Sequence, residues 1–210
     1  MKIKNLKLKI RKYNAGMTYI ELIVVLSIFA VMTSIVLFNY GDFQAKVDIK
    51  NLASDVALQI VQAQKDSSSG KLPTQLPTVS PWRPAYGLYF DTTTDTNKKS
   101  FIYFTDLNNN NWYDDLSCSL PPTSGECLDK INITKNNFIS RVDSYLGSVP
   151  TQITNPIAIT FKRPNSGAIF SYSDGISLTG FDYVQITISS QDGKSTALIK
   201  IYPSGRIQVN

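Results

Sequence analysis

Seventeen consecutive residues, Leu22 to Phe38, carry no charge, and they lie close to the start of the chain. Their only polar members are Ser27, Thr33 and Ser34, whose hydroxyls can bond back to the preceding helical turn. With Tyr19 and Ile20 in front, the run nearly reaches the ~20 residues that a helix needs to cross a bilayer. Six basic residues precede it, Lys2, Lys4, Lys7, Lys9, Arg11 and Lys12, with no acid among them. Such a segment stays on the cytoplasmic side and sends the C-terminal part outward. A secretory signal also begins basic and then apolar, but its core is shorter and a small-x-small cleavage site follows. Here Asn39, Tyr40, Gly41, Asp42 and Phe43 follow. The apolar helix is therefore expected to be kept.

The formal charge of +5 belongs to that basic start. Beyond residue 16, fifteen basic residues face sixteen acidic ones, so bulk charge is no argument for nucleic-acid binding. The chain has no histidine. That removes the commonest general base and the commonest metal ligand. Serines and threonines abound, but nothing is placed to activate them, and no glycine-rich phosphate loop occurs. Adjacent Asp114 and Asp115 are more simply solvated acids than an acid–base pair. An enzyme is not expected.

Glu21 is the odd residue, a carboxylate at the head of an apolar helix. One possibility is a partner for the helix dipole at headgroup level. The other is a functional charge that needs a counter-charge, because ionisable groups in a membrane are expensive and usually paired. A cut after Gly16 would place a new ammonium on Met17, four residues earlier, and a neighbouring copy's ammonium could then neutralise Glu21.

The segment Gly16-Met17-Thr18-Tyr19-Ile20-Glu21-Leu22-Ile23-Val24-Val25, after its basic leader, resembles the processing site of type IV prepilins and type II secretion pseudopilins. The likeness covers about the first forty residues. Two features depart from it: Met17 stands where phenylalanine is commoner, and no proline bends the helix near Phe38, although Gly41 could loosen it. The resemblance implies that a membrane prepilin peptidase cuts after Gly16 and methylates the Met17 amino group. It further implies that an inner-membrane platform with its ATPase lifts the subunit into a filament of like subunits. The expected division is a leader at 1–16, a membrane and filament-core helix at 17–40, an amphipathic continuation at 41–70, and an exported head at 71–210. The expected location is the cytoplasmic membrane, single-pass with the C-terminus outside, and then an extracellular or periplasmic filament.

Past the apolar run, Ile49, Leu52, Ala53, Val56, Ile60 and Ala63 recur at helical spacing, with Asp48, Lys50, Asp55, Gln59 and Gln62 between them. Ser67-Ser68-Ser69-Gly70 ends the pattern. One helix from Met17 to Asp66 would run on the order of 75 Å. Four prolines, Pro73, Pro77, Pro81 and Pro84, then mark a loop, with Trp82 expected to tuck against the head. Strands are predicted at Tyr86–Phe90, Ser100–Thr105, Ile157–Lys162, Ala168–Tyr172, Tyr183–Ser189, Thr196–Tyr202 and Ile207–Val209 from β-branched and aromatic content. Turns are predicted at Arg163-Pro164-Asn165-Ser166-Gly167 and Tyr202-Pro203-Ser204-Gly205-Arg206, proline presetting φ and glycine taking a left-handed position. The fold class is α+β, a long helix against mostly antiparallel sheet. The late segments Ile159 to Gly167 and Ile201 to Ile207 are similar to those of GspH/FimT-type minor pilins, which implies a minor subunit.

Three further sites come from spacing. Asp106, Asn108, Asn110 and Asp114 fall at the first, third, fifth and ninth places of an EF-hand-like loop, where hard oxygens can wrap Ca²⁺. Asn111 stands in the usual glycine place and asparagine tolerates a left-handed backbone. The twelfth place holds Ser117, so a bidentate ligand must come from elsewhere, with Asp115 the candidate. A polar turn without an ion fits the same residues. Cys118 and Cys127 are the only cysteines, and outside the cytoplasm such a pair favours a disulfide worth roughly 2–3 kcal/mol. Some minor pilins of this type bind DNA through a glycine-arginine-x-arginine motif. The matching residues here are Gly205, Arg206, Ile207 and Gln208, so Arg206 stands without the second arginine. Lys162, Arg163, Lys194 and Lys200 could add a basic face for phosphates, although a turn with solvated charges accounts for them equally.

Overall fold

The computed structural model describes residues 16–73, 77, 79–115, 118, 125–172 and 175–210, apart from the side chains of residues 39 and 166. The leader up to residue 15, Ser117 and the prolines at 121 and 122 lie outside the described residues. The chain forms two compact units, Met1–Phe43 and Gln44–Asn210.

One helix, α1 (Tyr19–Ser69), begins in the first unit and ends in the second. Thr18 and Glu21 form its start. The Glu21 N–H donates to Thr18 Oγ1 at 3.4 Å, and the Thr18 N–H donates to Glu21 Oε2 at 3.5 Å. This is a capping box, with threonine at the N-cap and glutamate three residues on. Ser27 and Thr33 donate their hydroxyls to the carbonyls of Val24 and Phe29, as expected for polar residues in an apolar helix. The helix starts at Tyr19, two residues after the expected Met17, and runs three residues past the expected Asp66, to Ser69, inside the serine–glycine signal. The Gly70 N–H bonds Ser67 O and the Lys71 N–H bonds Asp66 O, both at 3.1 Å, the paired bonds of a Schellman end.

Eleven strands follow among the described residues, all paired antiparallel: β1 (Ala85–Phe90), β2 (Ser100–Thr105), β3 (Cys127–Asn132), β4 (Phe138–Leu146), β5 (Val149–Ile153), β6 (Ile157–Lys162), β7 (Asn165–Tyr172), β8 (Ile176–Ser177), β9 (Tyr183–Ser189), β10 (Thr196–Ile201) and β11 (Ile207–Val209). One sheet runs β3-β2-β1-β6-β7-β8, the other β11-β10-β9-β4-β5. The fold is α+β, a long helix packed on antiparallel sheet. Four strands go beyond the sequence expectation, β3, β4, β5 and β8. The turn at 163–167 also differs: β7 begins at Asn165, and Gly167 does not take the left-handed backbone that Gly205 does (φ 84°). What holds Gly167 is proximity, because a Cβ there would stand 2.8 Å from the Pro203 carbonyl oxygen.

The predicted stripe of α1 forms one wall of the main core. Ile49, Ala53, Val56, Ile60 and Ala63 are buried there with Tyr86, Leu88, Phe90, Ile159 and Phe161 of the first sheet and Ile139, Val184, Ile186, Ile188 and Ile199 of the second. Helix and both sheets thus share one apolar interior. Trp82 packs against it as expected and donates its indole N–H to Asp106 O at 2.8 Å.

A buried polar cluster fixes the end of α1 to β2. The Asp66 carboxylate, almost wholly buried, accepts bonds from Tyr103 Oη (2.7 Å), Gln62 Nε2 (2.7 Å) and Lys71 Nζ (2.6 Å). Burial and this carboxylate hold the Tyr103 phenol well above its ordinary range, so it stays a donor. Tyr103→Phe is expected to lower stability by about 1.5 kcal/mol, the value of a charge-assisted bond whose acceptor keeps other partners. Urea unfolding of the two proteins checks it, and an unchanged midpoint would show that the bond contributes nothing net.

Candidate functional site

The N-terminal helix carries the largest exposed apolar surface. Its hydrophobic residues from Met17 to Phe43 are exposed, and the most apolar eighteen-residue window, with mean hydropathy 2.6, is wholly unburied. One helix here is long and apolar enough to cross a membrane by length and composition. Gly16 and Met17 sit just before it, exposed and outside regular structure. Glu21 lies in the first helical turn, and its carboxylate turns back to Thr18. That capping role was legible as Thr-x-x-Glu in the sequence, and it adds to the two roles considered there.

The loop after β2 is held by a second, smaller core. Trp112 and Tyr113 lay their rings on Tyr89, with centroids 5.3 and 5.2 Å apart, and Tyr113 also meets Phe104 at 5.5 Å. Ala158 and Cys127 complete this cluster. β1 is therefore buried on both faces, which explains why its pattern does not alternate.

On that base the segment 106–111 folds as a chain of side-chain-to-backbone bonds. Asp106, fully buried, accepts the N–H groups of Asn110 (3.1 Å) and Asn111 (2.8 Å). Asn108 Oδ1 accepts Asn110 N–H at 3.0 Å, and Asn110 Oδ1 accepts Trp112 N–H at 2.8 Å. Asn111 adopts the left-handed backbone expected of it (φ 63°), as does Asn109. Asp106, Asn108, Asn110 and Asp114 are thus brought together. The groups that face Asp114 Oδ2, however, are the Asn108 and Asn110 amide nitrogens, at 2.6 and 2.7 Å. Two N–H donors stand where a cation would need oxygens, so calcium would require both amides to turn over. Among the described residues, no group of three or more carboxylates or thiolates is arranged to hold a metal.

Asp115 does not supply the twelfth-place carboxylate. Its Oδ2 accepts the N–H groups of Glu126 (2.6 Å) and Cys127 (3.0 Å), and it fills the space beside Gly125, where a side chain would collide with it. Glu126 enters the loop in its place. Its two oxygens accept Leu107 N–H at 2.9 Å and Asp114 N–H at 3.1 Å. The Cys118–Cys127 disulfide is present and closes the excursion that returns Glu126 to the loop. Spacing could not find Glu126, because twenty residues separate it from Asp106.

Burial pushes Glu126 up to about 7, partly offset by its two N–H donors and reinforced by the nearby charges of Asp106 and Asp114. Burial raises Asp106 as well. A carboxyl whose folded pKa lies above its unfolded value binds more protons folded than unfolded. Its contribution to stability therefore declines as pH rises through the window from the unfolded value, about 4.5, to about 7. In EDTA, the urea midpoint is expected to fall between pH 5 and pH 7.5, and Glu126→Gln should reduce that slope. Asp106 keeps part of it, having the same sign. An unchanged slope in the variant would remove Glu126 as its source.

Arg206 lies at the end of the second sheet, its guanidinium 3.8 Å from the Tyr202 ring centroid. Tyr202, Tyr183 and Tyr145 form a row of rings across that sheet, and Lys200 Nζ sits 4.9 Å over Tyr183. Gln208, in the place of a second arginine, has its side-chain oxygen 3.5 Å from Tyr202 Oη. Lys162 and Arg163 lie on the β6–β7 hairpin beside Arg83, and Pro203 of the turn that leads to Arg206 lines the same space.

No family model, no curated protein and no solved structure matches this chain.

Proposed function

We propose that the chain is a structural subunit, of the minor kind, in a filament of the type IV pilin and pseudopilin class. Prepilin peptidase would cut it after Gly16, and packing of its N-terminal helix would assemble it. One observation carries this: an apolar helix, exposed along its whole first part, with a single carboxylate at its head. A bilayer covers such a surface before assembly, and the same surface of neighbouring copies covers it afterwards. The basic leader before Gly16 and the register of Glu21 support the same reading. In the membrane, backbone bonds inside the helix leave no polar group unsatisfied, so the segment can reside there unassembled. In the filament, Glu21 acquires a counter-charge from the Met17 ammonium of a neighbouring copy.

The intact mass of the membrane-extracted protein, with its N-terminal peptide sequenced, tests this. A chain beginning at N-methylated Met17 is expected. A chain still beginning at Met1, or one cut beyond Phe38, would overturn the filament proposal in favour of a plain anchor or a removed signal.

A further inference from the structure

The β6–β7 hairpin borders a cavity of about 310 Å³ whose lining includes three cationic residues, Arg83, Lys162 and Arg163. Asn165 adds a side-chain amide, and Ile169 and Pro203 are among the apolar walls. No carboxylate lines it. The ion pairs among the described residues use other cations, Lys71, Lys98, Lys135 and Arg141. This is not the overflow of a basic chain, because acids slightly outnumber bases beyond residue 16. The charge of Lys162 also acts on the buried Asp106, and one Arg163 nitrogen reaches the space beside Gly70, but no carboxylate enters the cavity itself, so an anion placed there would relieve the repulsion among its three cations.

The frame that carries these side chains is built rather than loose. The Arg163 N–H bonds Pro84 O at 3.1 Å, tying the hairpin to the segment that bears Arg83. On the other side, the Ala168 N–H bonds Pro203 O at 3.0 Å, and Gly167 approaches the same oxygen too closely for any side chain. Lys162 is half-buried, while Arg83 and Arg163 are exposed and accessible to a ligand from solvent.

We infer that this cavity binds an oxyanion, the phosphate group of a small phosphorylated molecule. Guanidinium forks match phosphate oxygens two at a time, and a lysine adds a point charge. The volume lies at the lower end for ligand pockets, enough for a phosphate with a small body attached. A nucleic-acid duplex does not enter it. A lipid headgroup presents the same phosphate chemistry, so the two sources must be separated by experiment. Nothing here depends on how the N-terminal helix is used.

The test is calorimetry on the intact chain in nonionic detergent micelles, at fixed ionic strength, with inorganic phosphate and glycerol 3-phosphate as probes. One-site, saturable binding is expected. Lys162→Gln and Arg83→Gln should each weaken it by about tenfold, the loss of one charge-assisted contact. Arg206→Gln, at the end of the other sheet, should leave it unchanged. Circular dichroism confirms that each variant is folded, and the exposed Arg83 serves should Lys162→Gln not fold. No saturation at fixed ionic strength, or wild-type affinity in both variants, would overturn the inference. Stronger binding to nanodiscs containing phosphatidylglycerol, lost with Lys162→Gln, would assign the phosphate to a lipid and retain the cavity. Duplex DNA binding that is lost with Arg206→Gln and kept with Lys162→Gln, without phosphate binding, would move anion recognition to the sheet end and overturn the cavity.

Discussion

If the chain is the filament subunit proposed above, replacing Glu21 by glutamine is expected to deplete it from filaments while leaving it in the membrane. Glutamine is chosen because it separates two roles that alanine would remove together. In the structure, Glu21 closes a capping box with Thr18. A glutamine can make the same pair of bonds, so the helix start survives the change. What disappears is the charge. If a neighbouring copy's Met17 ammonium sits against that carboxylate in an apolar filament core, Glu21→Gln leaves the ammonium unpaired. Breaking one side of a buried ion pair costs about 3–5 kcal/mol, which is a hundredfold or more in a binding equilibrium. Loss of the cap alone costs about 1 kcal/mol. The measurement is the amount of subunit in sheared filaments against that in the membrane fraction, for the wild type, Glu21→Gln and Glu21→Ala. Comparable failure of both variants supports pairing. Normal filaments with glutamine and fewer with alanine would reduce Glu21 to a helix cap and remove the pairing proposal.

Where the sequence signal was local, it carried far. The apolar run, the 3.6-residue stripe and the Ser-Ser-Ser-Gly stop each depend on neighbours within a few residues, and α1 ends at Ser69, within three residues of the expected end. The strands predicted from β-branched runs lie in sheet. Those passed over have two physical causes, a bulge inside the paired β4 and an edge position for β3 and β5. β4 carries Arg141 and Asp143, which pair with each other along one face at 2.6 and 2.7 Å, and a bulge between Ile139 and Arg141 breaks its alternation. β5 contains Pro150, tolerated because β5 is an edge strand. β3 is the opposite edge of the other sheet and is mostly polar. Edge strands need bury only part of a face, so their hydrophobic pattern is weak.

The site residues divide in the same way. Left-handed Asn111 and the turns from Asp106, Asn108 and Asn110 were readable because each bond spans no more than five residues. Glu126 was not, because it reaches the loop only through the antiparallel pairing of β2 with β3 and the disulfide beside it. The anchoring of Trp112 and Tyr113 on Tyr89 was hidden for the same reason, since it requires knowing which face of β1 is left uncovered by α1. The cationic cavity draws Arg83 and the pair Lys162–Arg163 from segments nearly eighty residues apart. Sequence spacing grouped Lys162 and Arg163 with Arg206 and gave no sign of Arg83.

Val56→Asp is expected to unfold the second unit. Val56 is fully buried at the middle of the α1 stripe, with both sheets contributing to the core around it. A carboxylate there finds no cation, because the members of that core are apolar residues. Either the charge is buried unpaired, or the group takes a proton and is left with unmet hydrogen bonds. Both cost several kcal/mol. Adding the lost packing of the valine brings the total close to the 5–15 kcal/mol that holds a typical domain folded. Val56→Ala isolates the packing term alone, about 2 kcal/mol for two methyl groups and the space they leave. For a unit of this size that is roughly a 4–8 °C fall in Tm. Leu58→Asp, two residues on, is the control: Leu58 is 64% exposed on the opposite side of the helix, and a charge there should change little. Near-ultraviolet circular dichroism of the three variants in detergent reads the result. Loss of the signal in Val56→Asp, a modest Tm shift in Val56→Ala and an unchanged melt in Leu58→Asp would establish that the stripe holds the helix to the sheets. A folded Val56→Asp would mean that the helix can leave the sheets without unfolding them, and the shared core would have to be divided in two.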